Sequence, residues 1–210
     1  MSYFKAGIGS PHAQLELAHR RLDDAQQVQL FGFNRTIETA YETVWNNGGG
    51  IYSFPTEALT LTLVSSSASD TMPVLVQGLD ANYEPISDVI TLDGTTPVTS
   101  SVQFYRINTA VILSGNNVGN ISITNGGTTY AYIEATFGTT QGIIYTTPAR
   151  HSLYVFTAHF TSGTVNPNKY LFSRACQRSS NGRELHFWES TFQRDIMFPV
   201  TVPFRIPPKT

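Results

Sequence analysis

Charge is scarce in this chain of 210 residues: Asp, Glu, Lys and Arg together make up 13% of it, about half of the roughly 25% usual in soluble domains. A surface so poor in charge is suited to meeting other protein. The formal net charge is -2 and the pI about 6.2, which excludes a broad positive field, so nucleic acid is not expected as a partner. There is one cysteine, Cys176, so neither an intrachain disulfide nor a cysteine-based zinc site is available, and a half-buried thiol on a strand is expected. No run approaches the roughly 18 apolar residues of a membrane span. The start, MSYFKAGIGS, lacks the basic and apolar regions of a signal peptide. Neither a membrane partner nor export is expected, and synthesis in the cytoplasm is.

What is present falls into three textures. Residues 1–47 carry much of the charge and read as an N-terminal arm or docking segment. Within it, His12 to Gln29 sets Leu15, Ala18, Leu22 and Ala25 on one side at ragged helical spacing. Two readings stand: a short amphipathic helix packed on its own domain, or an arm that orders against a neighbouring subunit. The glycines of Asn46-Asn47-Gly48-Gly49-Gly50 are expected to form a flexible joint, since the Lys and helix of a phosphate-cradling loop are missing.

From Gly48 to 198, short β-prone runs alternate with turn residues, the pattern of an antiparallel β-sandwich of jelly-roll type. In Ala58 to Ser65, Leu59, Leu61 and Leu63 face one way and Thr60 and Thr62 the other, which predicts a half-buried strand. Pro73 to Gly78 and Ile86 to Leu92 are joined by the turn-forming 79–85 and predict a hairpin. Val98 to Leu113 reads as one long run with a bulge or bend at Ile107-Asn108-Thr109. Asn125-Gly126-Gly127 predicts a tight hairpin turn between Val118 to Thr124 and Thr129 to Ala135. Further strands are expected at 142–145, 152–161, 169–177, 184–193 and 196–204, giving about ten, a number suited to two packed sheets. The tail, 199–210, is too rich in proline for an interior strand and is expected along an edge or a partner.

Chemistry is harder to find. No G-x-S-x-G elbow occurs. The five histidines, His12, His19, His151, His159 and His186, lack tight ligand spacing, although His151 and His159 lie at a separation that would place them on one strand face. Acids such as Asp70, Asp80, Asp88, Glu134 and Glu189 are expected mostly on solvated turns and edges. No catalytic residue, metal or cofactor is assigned. Aromatics are more informative, crowding 31–54 and 187–204. They suit a subunit interface, for which Leu15, Leu22, Phe31, Phe33, Trp45, Pro203, Phe204 and Pro207 are the candidates. The alternative is stacking on a host glycan, by Trp45, Tyr52, Tyr83 and Trp188.

Several phrases of the sequence carry a resemblance. Val44-Trp45-Asn46-Asn47-Gly48-Gly49-Gly50-Ile51-Tyr52-Ser53-Phe54-Pro55, then Val64 to Thr71, Val76 to Ser87, Leu92 to Val98, and Asn117 to Ile121 with Gly126-Gly127-Thr128-Thr129, resemble in order a type of tailed-bacteriophage virion protein common among aquatic phages. The likeness covers about half the chain, residues 44–147, and leaves 1–40 and 165–210 uncovered. It implies a non-enzymatic structural protein of the virion and no catalytic residues. The expected role is head decoration, cement or neck surface, with a tail, adaptor or baseplate component or a glycan-binding fibre module as alternatives. The expected partners are other virion proteins (major capsid, portal, neck or tail subunits) and further copies of the chain.

Overall fold

The computed structural model describes residues 26–37, 39–161, 171–178, 184–192 and 196–206. All regular structure among them is β, in eleven strands and no helix. The chain divides into two compact units, Gln29–Ala149 and Arg150–Thr210 with Met1–Val28. Residues 29–47 thus belong to the same unit as the strands that follow them.

The Gln29–Ala149 unit is a β-sandwich. β1 (Leu59–Ser65) lies between β4 (Val98–Phe104) and β6 (Ile121–Asn125), and β7 (Thr128–Ile133) completes a four-stranded sheet. β2 (Pro73–Leu79) lies between β3 (Pro85–Thr91) and β5 (Arg106–Ile112) in a three-stranded one. Every pairing is antiparallel. The alternation of apolar and polar residues drives this arrangement, because side chains on a strand point to opposite faces in turn. Leu61 and Leu63 of β1, Phe104 of β4, and Ile121, Ile123 and Ile133 of β6 and β7 project from one sheet. Val74 and Val76 of β2 and Ala110 of β5 project from the other, and all but Ile107, Ile112, Ile90 and Ala131 among the main core residues are essentially sealed from solvent.

Turn chemistry sets the registers. The β2–β3 hairpin closes on Asp80, whose Oδ1 accepts the amides of Asn82 and Glu84 at 2.8 and 2.9 Å. The β6–β7 hairpin turns on Gly126 and Gly127, at φ 56° and 82°, which gives the two consecutive left-handed residues of a type I′ turn. The β1–β4 ladder is irregular opposite Leu61. There the Ser100 hydroxyl accepts the Leu61 amide at 2.9 Å and donates to the Val102 carbonyl at 2.7 Å, so the bulge leaves neither backbone group unpaired.

Three expectations change within this unit. Val98 to Leu113 is two strands in different sheets, broken at Tyr105; the expected bulge is present at Asn108, which has no partner between the pairs Gln77–Thr109 and Gly78–Ile107. Residues 142–145 form no strand: Gly142 makes a single bridge to Trp45, and Asn46 and Ile143 donate to Gln141 and Val44. The stretch spends its hydrogen bonds on the 44–46 segment, too briefly to extend a ladder. The joint at Gly48–Gly50 is a closed turn, since the Gly50 carbonyl accepts the Thr43 amide at 3.0 Å and the Gly48 carbonyl accepts Trp45 Nε1 at 3.1 Å.

In the second unit, β8 (Leu153–Phe160) pairs with β11 (Ile196–Ile206), and β9 (Leu171–Arg178) pairs with β10 (Glu184–Phe192), each as a two-stranded antiparallel ribbon. Residues 199–206 of the proline-rich end belong to β11, and 207–210 lie outside the described residues. Pairing lapses between Pro199 and Phe204, where Pro199 and Pro203 lack donors. Cys176 sits on β9 but is exposed rather than half-buried.

Two substitutions test this packing. Phe104→Ala empties the space of a fully buried ring and is expected to cost about 3–5 kcal/mol, read as a lower urea midpoint. Gly78→Ala is expected to be at least as damaging, because a Cβ there is driven into the Arg106 carbonyl at the point where the β2–β5 register shifts.

Candidate functional site

Among the described residues two ionised side chains are buried in the sandwich, at opposite ends of β1, and both are engaged with backbone. Asp70 follows β1 in the loop to β2 and has no exposed surface. Its Oδ1 accepts the Val118 amide at 2.8 Å; its Oδ2 accepts the Gly119 amide at 2.9 Å and the Ser65 hydroxyl at 2.6 Å. Burial alone would raise this carboxyl, but the Ser65, Val118 and Gly119 hydrogen bonds together hold it below its ordinary value. Asn117 extends the knot, donating to the carbonyls of Gly119 and Glu134 at 2.8 Å each and accepting the Gly138 amide at 3.1 Å. Gly119 admits no side chain, since a Cβ would lie 2.5 Å from the Ser67 nitrogen. Sealed and fully engaged, Asp70 ties the β1–β2 loop to the β5–β6 loop and offers nothing to a substrate.

Arg106 stands at the other end, 8% exposed. Its Nη1 donates to the Pro55 and Tyr105 carbonyls at 2.8 and 2.6 Å. Its guanidinium lies 3.9 Å from the Tyr105 ring centroid, with Phe54 at 5.3 Å and Tyr83 at 5.6 Å. Carbonyl dipoles and aromatic faces therefore offset its charge in place of a carboxylate. Arg106 joins the segment before β1, the sheet change at Tyr105 and the β2–β3 turn, where Tyr83 is held at φ 61°. Neither Asp70 nor Arg106 carries a signal in the sequence, because each is defined by backbone groups far along the chain.

The surface feature that stands out is an aromatic row. Phe31 is 67% exposed, and its ring centroid lies 6.3 Å from Phe33, which is 5.5 Å from Phe137. Phe137 and Ile143 are also exposed. The Arg35 guanidinium lies 5.0 Å from the Phe33 ring centroid and pairs with Glu134. The row is mounted on the sandwich through Gly32, where a Cβ would come within 2.9 Å of Gly142, Ile143 and Val44 backbone atoms. Only glycine permits that approach, so the segment carrying Phe31 and Phe33 lies flat against the 142–143 stretch. Contiguous exposed apolar side chains of this kind mark contact surfaces more often than scattered ones do.

The residues expected to act separate accordingly. Phe31 and Phe33 fall together on this row. Trp45 lies beneath, 7% exposed, with Tyr52, 5% exposed, packed edge-on at 5.2 Å; neither presents a face to a glycan or a partner. Burial pushes the Tyr52 phenol far up, with the Arg106 charge opposing and Tyr130 adding, and its hydroxyl donates to the Tyr130 carbonyl. Tyr83 is half-buried beside Tyr105. Trp188 lies on β10, and Pro203 and Phe204 on β11; their side chains lie outside the described residues, as do Leu15, Leu22 and Pro207 altogether. His159 is on β8 whereas His151 precedes it, so the two do not share a strand. Among the described residues no group of three or more His, Cys, Asp or Glu is placed to hold a metal ion. No protein-family model, no curated protein and no solved structure matches the chain.

The Asp70 knot predicts an acid-sensitive sandwich. A carboxylate held below its unfolded value stabilises the fold above the ordinary range, and that contribution is lost as pH falls through the depressed value. Stability is therefore expected to decline as pH falls below the ordinary carboxylate range. Asp70→Asn, which turns a donor toward one of the two amides, is expected to cost about 2 kcal/mol at neutral pH and to flatten the acid limb of a stability profile.

Proposed function

We propose that this chain is a non-enzymatic structural protein of a tailed-phage particle, a decoration or neck-surface protein of the head that docks on neighbouring subunits. The observation that carries the reading is the Phe31–Phe33–Phe137 row, with Phe31 and Phe137 exposed and Phe33 half-buried between them, fixed on a sandwich in a charge-poor chain. The ordered phrases within 44–147 that resemble aquatic-phage virion proteins support the same class. Residues 44–46 and 48–50 belong to those phrases, and they form the hydrogen-bonded turn beside which the row is mounted.

The mechanism that follows is recognition by a preformed surface. Phe31 and Phe33 need no folding on contact, because Gly32 holds their backbone against the sandwich, so little ordering entropy opposes docking. Burying one exposed phenylalanine contributes about 2 kcal/mol, and many copies on a symmetric shell make contacts of that size sufficient. The Arg35–Glu134 pair at the rim would fix orientation more than affinity.

The test is incorporation. The double variant Phe31→Ser, Phe137→Ser removes two exposed rings and is expected to keep its thermal unfolding within a few degrees. Each loss is expected to weaken docking by roughly thirtyfold, the equivalent of about 2 kcal/mol, leaving purified particles depleted of the chain by quantitative mass spectrometry. Incorporation at the wild-type level by the double variant would refute docking through the row. Absence of the wild-type chain from particles would refute the virion role itself.

A further inference from the structure

We propose that Asn47 is a site of spontaneous covalent modification in the folded protein, its side-chain amide lost to a succinimide that opens to isoaspartate and aspartate. The chain holds three Asn-Gly pairs, at 47–48, 125–126 and 181–182, the last outside the described residues. Asparagine is labile before glycine, because no Cβ shields the following backbone nitrogen as it approaches the side-chain carbonyl carbon. The two described pairs differ in what must give way before that approach is made.

Asn47 is exposed and stands third in the turn that the Gly48 amide closes on the Trp45 carbonyl. That bond is 3.2 Å long, at the far end of the range for such contacts. Gly48, Gly49 and Gly50 all lie at positive φ, of 64°, 70° and 84°, and a Cβ on Gly49 or Gly50 would meet nothing within 4 Å. The loop is held by hydrogen bonds rather than by packing, so one turn has only to open for the Gly48 nitrogen to be released. Asn125 is held differently. It ends β6, which lies between β1 and β7, and it pairs there with Thr128. Its Nδ2, the group that must leave, donates to the Thr60 carbonyl of β1 at 2.8 Å. Ring closure at Asn125 therefore requires that bond to break and the end of a central strand to come away from its neighbours.

In the reaction the Gly48 nitrogen bonds to Asn47 Cγ as the Cγ–Nδ2 bond breaks, and Nδ2 leaves as ammonia with the proton of the Gly48 amide. Solvent water then adds to one of the two imide carbonyls. Cleavage at Cγ gives aspartate. Cleavage at the backbone carbonyl gives isoaspartate, in which the main chain runs through Cγ and is one carbon longer. Either product places a carboxylate on the turn whose Gly48 carbonyl holds the Trp45 indole. The modification does not depend on the chain's being a virion protein.

The experiment ages the full chain in mildly alkaline buffer, folded and in guanidinium chloride, and follows each site by digestion and fragmentation mass spectrometry, which separates isoaspartate from aspartate. Unfolded, Asn47 and Asn125 are expected to convert at comparable rates, since both stand in Asn-Gly-Gly. Folded, Asn47 is expected to convert at least roughly tenfold faster than Asn125, which reacts only from an opened sheet, and to yield both isoaspartate and aspartate. An Asn47 that stays intact in the folded chain over the time in which it converts in the unfolded one overturns the proposal. So does an Asn125 that keeps pace with Asn47 in the folded chain.

Discussion

Backbone amides and carbonyls left over where strands end must find partners inside a closely packed sandwich, and two buried charges meet that demand. Asp70 receives the Val118 and Gly119 amides at one end of β1; Arg106 donates to the Pro55 and Tyr105 carbonyls at the other. Each closes loops that are far apart along the chain, and neither is offset by an opposite side-chain charge. Deleting one partner of such a contact leaves a buried ionic or backbone group unsatisfied, which costs more than the contact contributes when intact. The apolar alternation drives the two sheets together, while these contacts select one way of connecting them.

The surface inherits its order from that frame. Asn117 links the Asp70 knot to the Glu134 carbonyl, and Glu134 pairs with Arg35 at the rim of the aromatic row. Beyond it, Gly138 and Thr140 pair with the open edge of β5 and Gln141 and Ile143 with the 44–46 segment, which covers a sheet edge that would otherwise invite another strand. At the opposite side Asp88 of β3 accepts the Ser101 amide and hydroxyl of β4 at 2.6 and 3.1 Å, occupying an edge donor by side chain. Phe31 and Phe137 stand exposed beside the edge covered in this way.

Much of the sandwich could be read in the sequence because its signals are local. Alternation around Leu61 and Leu63, the Asp80 turn and Gly126-Gly127 each act within a few residues, and each lies where it was expected. The sheet change at Tyr105 was not legible, since Phe104 and Arg106 continue the same β-prone run and only the separate partners, β1 and β2, divide it. Trp45 and Tyr52 were open to either fate, because aromatic composition does not say whether a ring faces a core or a partner. Asp70 resembled any acid in a Ser-rich turn; its role comes from amides 48 and 49 residues away, a relation no local pattern encodes.

Native-state hydrogen exchange of the Val118 and Gly119 amides tests the central claim most directly. If Asp70 closes its end of the sandwich, both amides exchange as slowly as those of Leu63 and Val76 within the sheets, opening only when the whole unit unfolds. Exchange as fast as that of the exposed turn at Gly49 and Gly50 would contradict the account, because the buried carboxylate would then not be holding the loops together.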